Sequence, residues 1–264
     1  MKILMCPPDY FNVEYQINPW MNLNESIDHA KARKQWETLY QTLINCDAEV
    51  SLLKPVEGLP DMVFTANPGL LYQDSFILSH FKHAVRQNEV VHLKAWLTDA
   101  GFNIANPDDF ASTPFFEGGG DGLIAGETLF AGYGFRSDKQ FYEQASYLDQ
   151  NKLVYCQLIN PRFYHLDTCF CPINEDLALW YPGAFDEETQ KRMAAKIELL
   201  DVGEEEAYHF ACNAVVVNNH VILPGACPKT KTLLEKRGFE VSVCEMSEFL
   251  KAGGACKCMT LRLD

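Results

Sequence analysis

Residues 213–223 read Asn213-Ala214-Val215-Val216-Val217-Asn218-Asn219-His220-Val221-Ile222-Leu223: a small polar residue, an apolar run, a polar turn and a second apolar run. Short β-branched runs on either side of an Asn-Asn turn read as a β-hairpin. The same order recurs along the chain, which makes it a repeat. Asn67 precedes Pro68-Gly69-Leu70-Leu71-Tyr72, the turn Gln73-Asp74-Ser75, and Phe76-Ile77-Leu78. Asp121 precedes Gly122-Leu123-Ile124-Ala125, a turn at Gly126-Glu127, and Thr128-Leu129-Phe130-Ala131. Asp167 precedes Thr168-Cys169-Phe170-Cys171-Pro172-Ile173, the turn Asn174-Glu175-Asp176, and Leu177-Ala178-Leu179-Trp180. Cys258 opens a last copy, Met259-Thr260-Leu261-Arg262-Leu263, whose partner strand is expected at Lys2 to Met5.

The markers Asn67, Asp121, Asp167, Asn213 and Cys258 are spaced by 54, 46, 46 and 45 residues. Helical segments are expected after the hairpins at Asn88 to Ala100, Lys139 to Leu148, Glu187 to Ala195 and Lys229 to Arg237. Each unit then reads as a hairpin, a helix and a further strand, an α/β arrangement. Five such units, the last completed by the N-terminal strand, form a closed ring without free sheet edges. In that ring every marker starts a strand near one central axis.

Composition narrows the function. The 264 residues carry 22 Lys and Arg against 36 Asp and Glu, a formal charge of −14, which argues against nucleic acid as a partner. With 47% hydrophobic and 22% charged residues the chain is of the globular type. Its apolar runs are far shorter than the roughly 20 residues that span a bilayer, and the first residues do not resemble a signal peptide. A cytoplasmic enzyme occupying residues 1–264 as one domain is the expectation, and a homo-oligomer is compatible with the sequence. The ten cysteines are expected to be reduced thiols. Cys169-x-Cys171 and Cys256-x-Cys258 lack the C-x2-C spacing of structural zinc, so no metal is expected.

Chemistry gathers at the markers. Gly253-Gly254-Ala255-Cys256-Lys257-Cys258 places a thiol after a glycine-rich turn, where backbone can approach a ligand closely. A thiol needs a cationic or hydrogen-bonding neighbour to act as a nucleophile. His165, two residues before Asp167 and on the same strand face, is the candidate. Alternation places Cys256 on the face of Cys258, one pleat earlier. Glu117 and Asp121 flank a flexible glycine turn, and carboxylates crowded together suit a cationic organic substrate such as a guanidinium, whose planar N–H donors they bind in pairs. Arg86 and Arg136, in loop-like contexts, are candidates for the substrate's carboxylate end.

Taken together, Pro60-Asp61-Met62-Val63-Phe64-Thr65-Ala66-Asn67, the Glu117 to Asp121 turn, His165-Leu166-Asp167-Thr168 and the C-terminal Gly-Gly-x-x-x-Cys-Met-Thr resemble the guanidino-group modifying enzymes. That superfamily includes arginine deiminases, dimethylarginine dimethylaminohydrolases, amidinotransferases and arginine dihydrolases. The resemblance implies a five-bladed α/β propeller with pseudo-fivefold repeats around a central active site, no cofactor, and arginine or a related guanidino compound as the small-molecule partner. Cys6-Pro7-Pro8-Asp9-Tyr10, Ile17-Asn18-Pro19-Trp20-Met21 and Asn67, where deiminases and dimethylargininases usually carry Asp, look like the arginine dihydrolase domain of cyanobacterial ornithine-forming enzymes.

Carried over, Cys258 matches the nucleophile, His165 the general acid/base and Glu117 its paired carboxylate. Asp121 and Asp167 match guanidinium ligands, Arg86 and Arg136 carboxylate ligands, and Asn18, Phe64 and Asn67 the dihydrolase pocket. The expected reaction gives ornithine, carbon dioxide and two ammonia through a covalent intermediate, and stops at ornithine for want of a second domain. The alternatives are a deiminase or dimethylargininase giving citrulline, and a non-catalytic propeller that binds arginine-like ligands or a protein partner.

Overall fold

The computed structural model describes residues 1–105 and 113–264. Five three-stranded sheets form, each with the same plan. An inner strand pairs antiparallel with a middle strand, a helix follows, and the outer strand returns parallel to the middle one. Strands β1 (Lys2–Met5) and β2 (Glu49–Leu52) pair in parallel across helix α1 (His29–Asn45). Next come β3 (Gly69–Tyr72), β4 (Ser75–Leu78), α2 (Ala84–Asp99) and β5 (Asn103–Ile104). After the short helix α3 (Gly118–Asp121), the third sheet joins β6 (Gly122–Ala125), β7 (Thr128–Tyr133) and, beyond α4 (Lys139–Gln144), β8 (Leu153–Gln157). The fourth has β9 (Phe170–Pro172), β10 (Leu177–Trp180), α5 (Glu187–Ala194) and β11 (Glu198–Asp201). A short α6 (Glu204–Ala207) leads to β12 (Val215–Val217), β13 (His220–Pro224), α7 (Pro228–Lys236) and β14 (Glu240–Cys244). Beyond α8 (Ser247–Leu250), β15 (Leu261–Arg262) completes the first sheet, with Leu4 opposite Leu261 and Ile3 opposite Arg262.

The hairpin register follows side-chain alternation: Val215 faces Ile222, and Leu70 faces Ile77. Helices cover the sheets with stripes at helical spacing, such as Ala32, Trp36, Leu39 and Leu43 on α1. The inner strands share one feature. Leu70 of β3, Leu123 of β6, Phe170 of β9, Val215 of β12 and Leu261 of β15 all line a single cavity of about 630 Å³.

Three local expectations need correction. The markers do not start the inner strands but sit one to three residues before them, Asp121 at the end of α3 and the others in turns or bends. Asp167 lies in a single 3-10 turn, Leu166–Thr168, so His165 and Asp167 do not share a strand face. Cys256 and Cys258 likewise lie in consecutive turns, not on a pleated strand. The reason is common: these segments are shaped by main-chain bonds to segments far away in the chain, such as Ala66 N to Cys258 O, and not by a ladder with their own strand.

Candidate active site

The five marker segments converge. Gly119 N donates to Ala66 O at 2.8 Å, Ala66 N donates to Cys258 O at 3.0 Å, and Lys257 N donates to Asn213 O at 3.2 Å. These main-chain bonds tie the Asn67, Asp121, Asn213 and Cys258 segments together. The glycines of residues 118–120 are required by proximity rather than flexibility, contrary to expectation. Gly118 has φ +55°, and a Cβ there would meet Asn67 O at 2.4 Å. A Cβ on Gly120 would meet Asn67 Nδ2 at 2.4 Å and the His165 ring at 3.2 Å.

Asn213 holds the thiol. Its Nδ2 donates to Cys258 Sγ at 3.1 Å and to Asp167 O at 3.0 Å, while its Oδ1 accepts from the amides of Lys257 at 3.0 Å and Cys258 at 3.2 Å. The thiol in turn donates to Asp167 Oδ2 at 3.4 Å. Burial, reinforced by Asp167, pushes the Cys258 thiol well up. Burial also raises the Asp167 carboxyl to about 6, opposed chiefly by Lys257.

His165 Nε2 bonds Glu117 Oε2 at 2.7 Å. Glu117 Oε2 also accepts from Arg136 NH1 at 2.9 Å. Burial alone would raise Glu117, but the Arg136 guanidinium and His165 hold it far below the usual carboxylate range. An ionised Glu117 accepts, so Nε2 carries the hydrogen by network assignment and Nδ1 is the ring nitrogen left for a substrate. Asp121 is occupied: Oδ2 accepts from Ser137 Oγ at 2.6 Å and Oδ1 from Leu166 N at 3.0 Å. Burial raises it to about 6. Both its oxygens accept from protein groups, so Asp121 braces the His165 turn, and its expected place as a guanidinium ligand would use only the lone pairs left over.

Arg86 is not in a loop, because α2 begins four residues before the expected Asn88. It shares the buried stripe of Val90, Leu93 and Leu97, and a cation there needs a partner. Glu89 supplies it with two bonds of 2.8 Å. Arg86 NH1 donates to Asn67 Oδ1 at 3.2 Å and NH2 to Asp61 O at 3.4 Å. Four of its five N–H donors are thus spent inside the protein, so its expected role as a free carboxylate ligand becomes that of a group orienting Asn67. Arg136 lies over the Tyr164 ring at 4.7 Å and donates to Ile17 O at 2.9 Å, beside its bond to Glu117.

Asn18 donates to Ala252 O at 3.0 Å and accepts from Trp20 N at 2.9 Å, fixing the strap of residues 15–22 beside Gly253. Phe64 packs edge-on to Phe11 and closes on Gly254, where a Cβ would lie 2.3 Å from its ring.

Three buried polar atoms around this assembly have no hydrogen-bond partner among the described residues: Asp61 Oδ1, Asp167 Oδ1 and Asn67 Nδ2. Asp61 was not among the expected site residues. Its other oxygen accepts from Tyr15 OH at 3.0 Å and lies 3.7 Å from Arg86 Nε. Its signal in sequence was an acidic residue inside the apolar Pro60–Val63 turn. Asn213, read only as a repeat marker, was also missed as the residue gripping the thiol. All ten cysteines are free, and no cluster of His, Cys, Asp or Glu with metal-ligand geometry occurs among the described residues.

Residues 7–263 match the family described as N,N dimethylarginine dimethylhydrolase, eukaryotic. The chain belongs to that family. Among dimethylargininase-family relatives, the bifunctional arginine dihydrolase/ornithine cyclodeaminase ArgZ of Synechocystis is 45% identical across all of this chain, which spans only 38% of ArgZ. The N(G),N(G)-dimethylarginine dimethylaminohydrolase of Mycobacterium tuberculosis is 36% identical over 99% of this chain and 85% of its own length. A crystal structure of the N-terminal domain of an ArgZ variant covalently bound to a reaction intermediate superposes with a TM-score of 0.93 at 44% identity, covering 100% of this chain and 97% of that one. Among the described residues of this family member, no helix is long and apolar enough to cross a membrane.

Proposed function

We propose that this chain is a cysteine-dependent arginine dihydrolase, converting arginine and two waters to ornithine, carbon dioxide and two ammonia. The observation that carries the reading is the orientation of Asn67. Arg86 takes its Oδ1, so Asn67 presents Nδ2, a buried donor without an acceptor. A guanidinium has no acceptor to offer, whereas the ureido oxygen formed after the first ammonia leaves is one. The unpartnered Asp61 Oδ1 and Asp167 Oδ1 are the complementary acceptors for guanidinium N–H groups. The site is therefore suited to both the cationic substrate and the neutral intermediate, and an aspartate at position 67 would suit only the first. Similarity to the ArgZ dihydrolase domain supports the same choice.

In the mechanism the guanidinium enters between Asp61 and Asp167, and its positive charge favours loss of the thiol proton through Asp167 Oδ2. Cys258 Sγ bonds to the guanidinium carbon. His165, held by Glu117 and carrying on Nδ1 the proton given up by the thiol, protonates the departing nitrogen, and ammonia leaves a thiouronium-type adduct. Water deprotonated by His165 attacks that carbon and the C–S bond breaks, giving the ureido compound. Asn67 Nδ2 retains it by donating to its oxygen, and a second round releases ammonia, carbon dioxide and ornithine. Arg136, with N–H donors left over, binds the substrate carboxylate. In the same reading the five sheets close into one propeller about the shared axis, residues 1–264 act as one domain, and the protein works in the cytoplasm with its thiols reduced.

Arginine labelled with 13C at the guanidino carbon tests this. The label is expected in carbon dioxide and bicarbonate. Label held in citrulline, or dimethylamine release from dimethylarginine at a higher rate, would replace the proposal with one of the sister reactions.

A further inference from the structure

The thiol and its carboxylate have a second side. Lys257, the chain neighbour of Cys258, lines the axial cavity together with Gly119. Its Nζ would lie 3.6 Å from a Cβ placed on Gly119, so the ammonium reaches beneath the turn that carries Glu117 and Asp121. It makes no ion pair among the described residues, although it is only partly exposed. The buried carboxylates near the site are otherwise provided for. Asp61 and Glu89 share Arg86, Glu117 has Arg136, and Asp121 has Ser137 and the Leu166 amide. Asp167 faces no guanidinium from the protein, and its neighbours are Cys258, Asn213 and, as its one cation, Lys257. When Cys258 loses its proton, two negative groups 3.4 Å apart must coexist in a buried layer.

We propose that Lys257 is a positioning residue of the reaction centre, its ammonium balancing from the axial cavity the negative charge shared by Asp167 and the Cys258 sulfur. This rests on the proposed role of Cys258. The cavity leaves room for an arginine, so charge can be kept while the side chain is changed.

The test compares Lys257→Met and Lys257→Arg in two readouts: the pH dependence of Cys258 alkylation by iodoacetamide without substrate, located by peptide mass spectrometry, and that of kcat/KM for arginine. Removing a cation that serves both groups raises both steps of the coupled titration. Lys257→Met is expected to slow alkylation about tenfold at a given pH and to move the acid limb of kcat/KM up by about one pH unit, with Tm unchanged. Lys257→Arg is expected to restore both profiles. Wild-type profiles in Lys257→Met, or equal impairment of the two variants, would overturn the assignment. A wild-type protein that leaves arginine untouched while its alkylation still depends on Lys257 would sink the proposed activity and leave Lys257 in place.

Discussion

Among ten free cysteines, only Cys258 has its sulfur held by both an amide donor and a carboxylate. Cys256, two residues away, sits in the apolar cluster with Phe11, Phe249 and Met259, where burial pushes its thiol well above the ordinary range. Cys258→Ser is therefore expected to abolish turnover, and Cys256→Ser to retain most of it; steady-state assays of the two decide, and the reverse ranking would remove Cys258 from the reaction. The pH profile follows from Asp167. Its pKa is raised to about 6, so its negative charge, which in the proposed reaction attracts the guanidinium, is complete above that value and is lost as pH falls through it. kcat/KM is expected to drop tenfold per pH unit below about 6, and a flat profile from pH 7 to 5 would contradict the assignment. The repeat singled out Cys258 as a marker and placed His165 and Glu117 close to two others, and the family resemblance suggested the His165–Glu117 pair that the structure joins by a hydrogen bond. Asp61 and the committed state of Arg86 were not legible, since a buried ion pair three residues apart on a helix looks the same in sequence as two solvated charges.

At the level of elements, the hairpins were readable because alternation and turn chemistry act within ten residues. The turns at the axis were not, because they are shaped by contacts between segments far apart in the chain. The 118–120 glycines illustrate this: their sequence suggests mobility, but each is pressed against another segment. Gly120→Ala places a methyl group against Asn67 Nδ2 and the His165 ring. The expected result is a folded protein destabilised by about 1–3 kcal/mol. Its turnover should fall at least a hundredfold, because Asn67 and His165, which in the proposed reaction hold the ureido oxygen and move protons, are both displaced. Denaturant unfolding and steady-state assays check the two parts, and near-normal activity would show that the close packing around Gly120 is not what aligns the site.

Across the whole molecule, pairing of β1 with β15 brings the two ends of the chain into one sheet, and this was expected from the incomplete fifth repeat. That pairing matters for chemistry because Cys258 stands three residues before β15. One helix start was not legible: α2 extends back to Ala84, with no side-chain cap at His83 to mark it, whereas the starts expected at Lys139 and Glu187 are met. In the proposed reaction, two acceptors and one donor left unpartnered around a buried thiol set what the site does, and the donor separates two hydrolytic cycles from one. The decisive measurement is the product balance with arginine, ornithine and citrulline by mass spectrometry and ammonia by enzymatic assay, for wild type and Asn67→Ser. Wild type is expected to yield ornithine with about two ammonia per arginine consumed, the count set by two rounds of attack at the same carbon, and Asn67→Ser to shift the product toward citrulline with about one. Citrulline with one ammonia from wild type, or an unchanged ornithine yield after Asn67→Ser, would contradict the account.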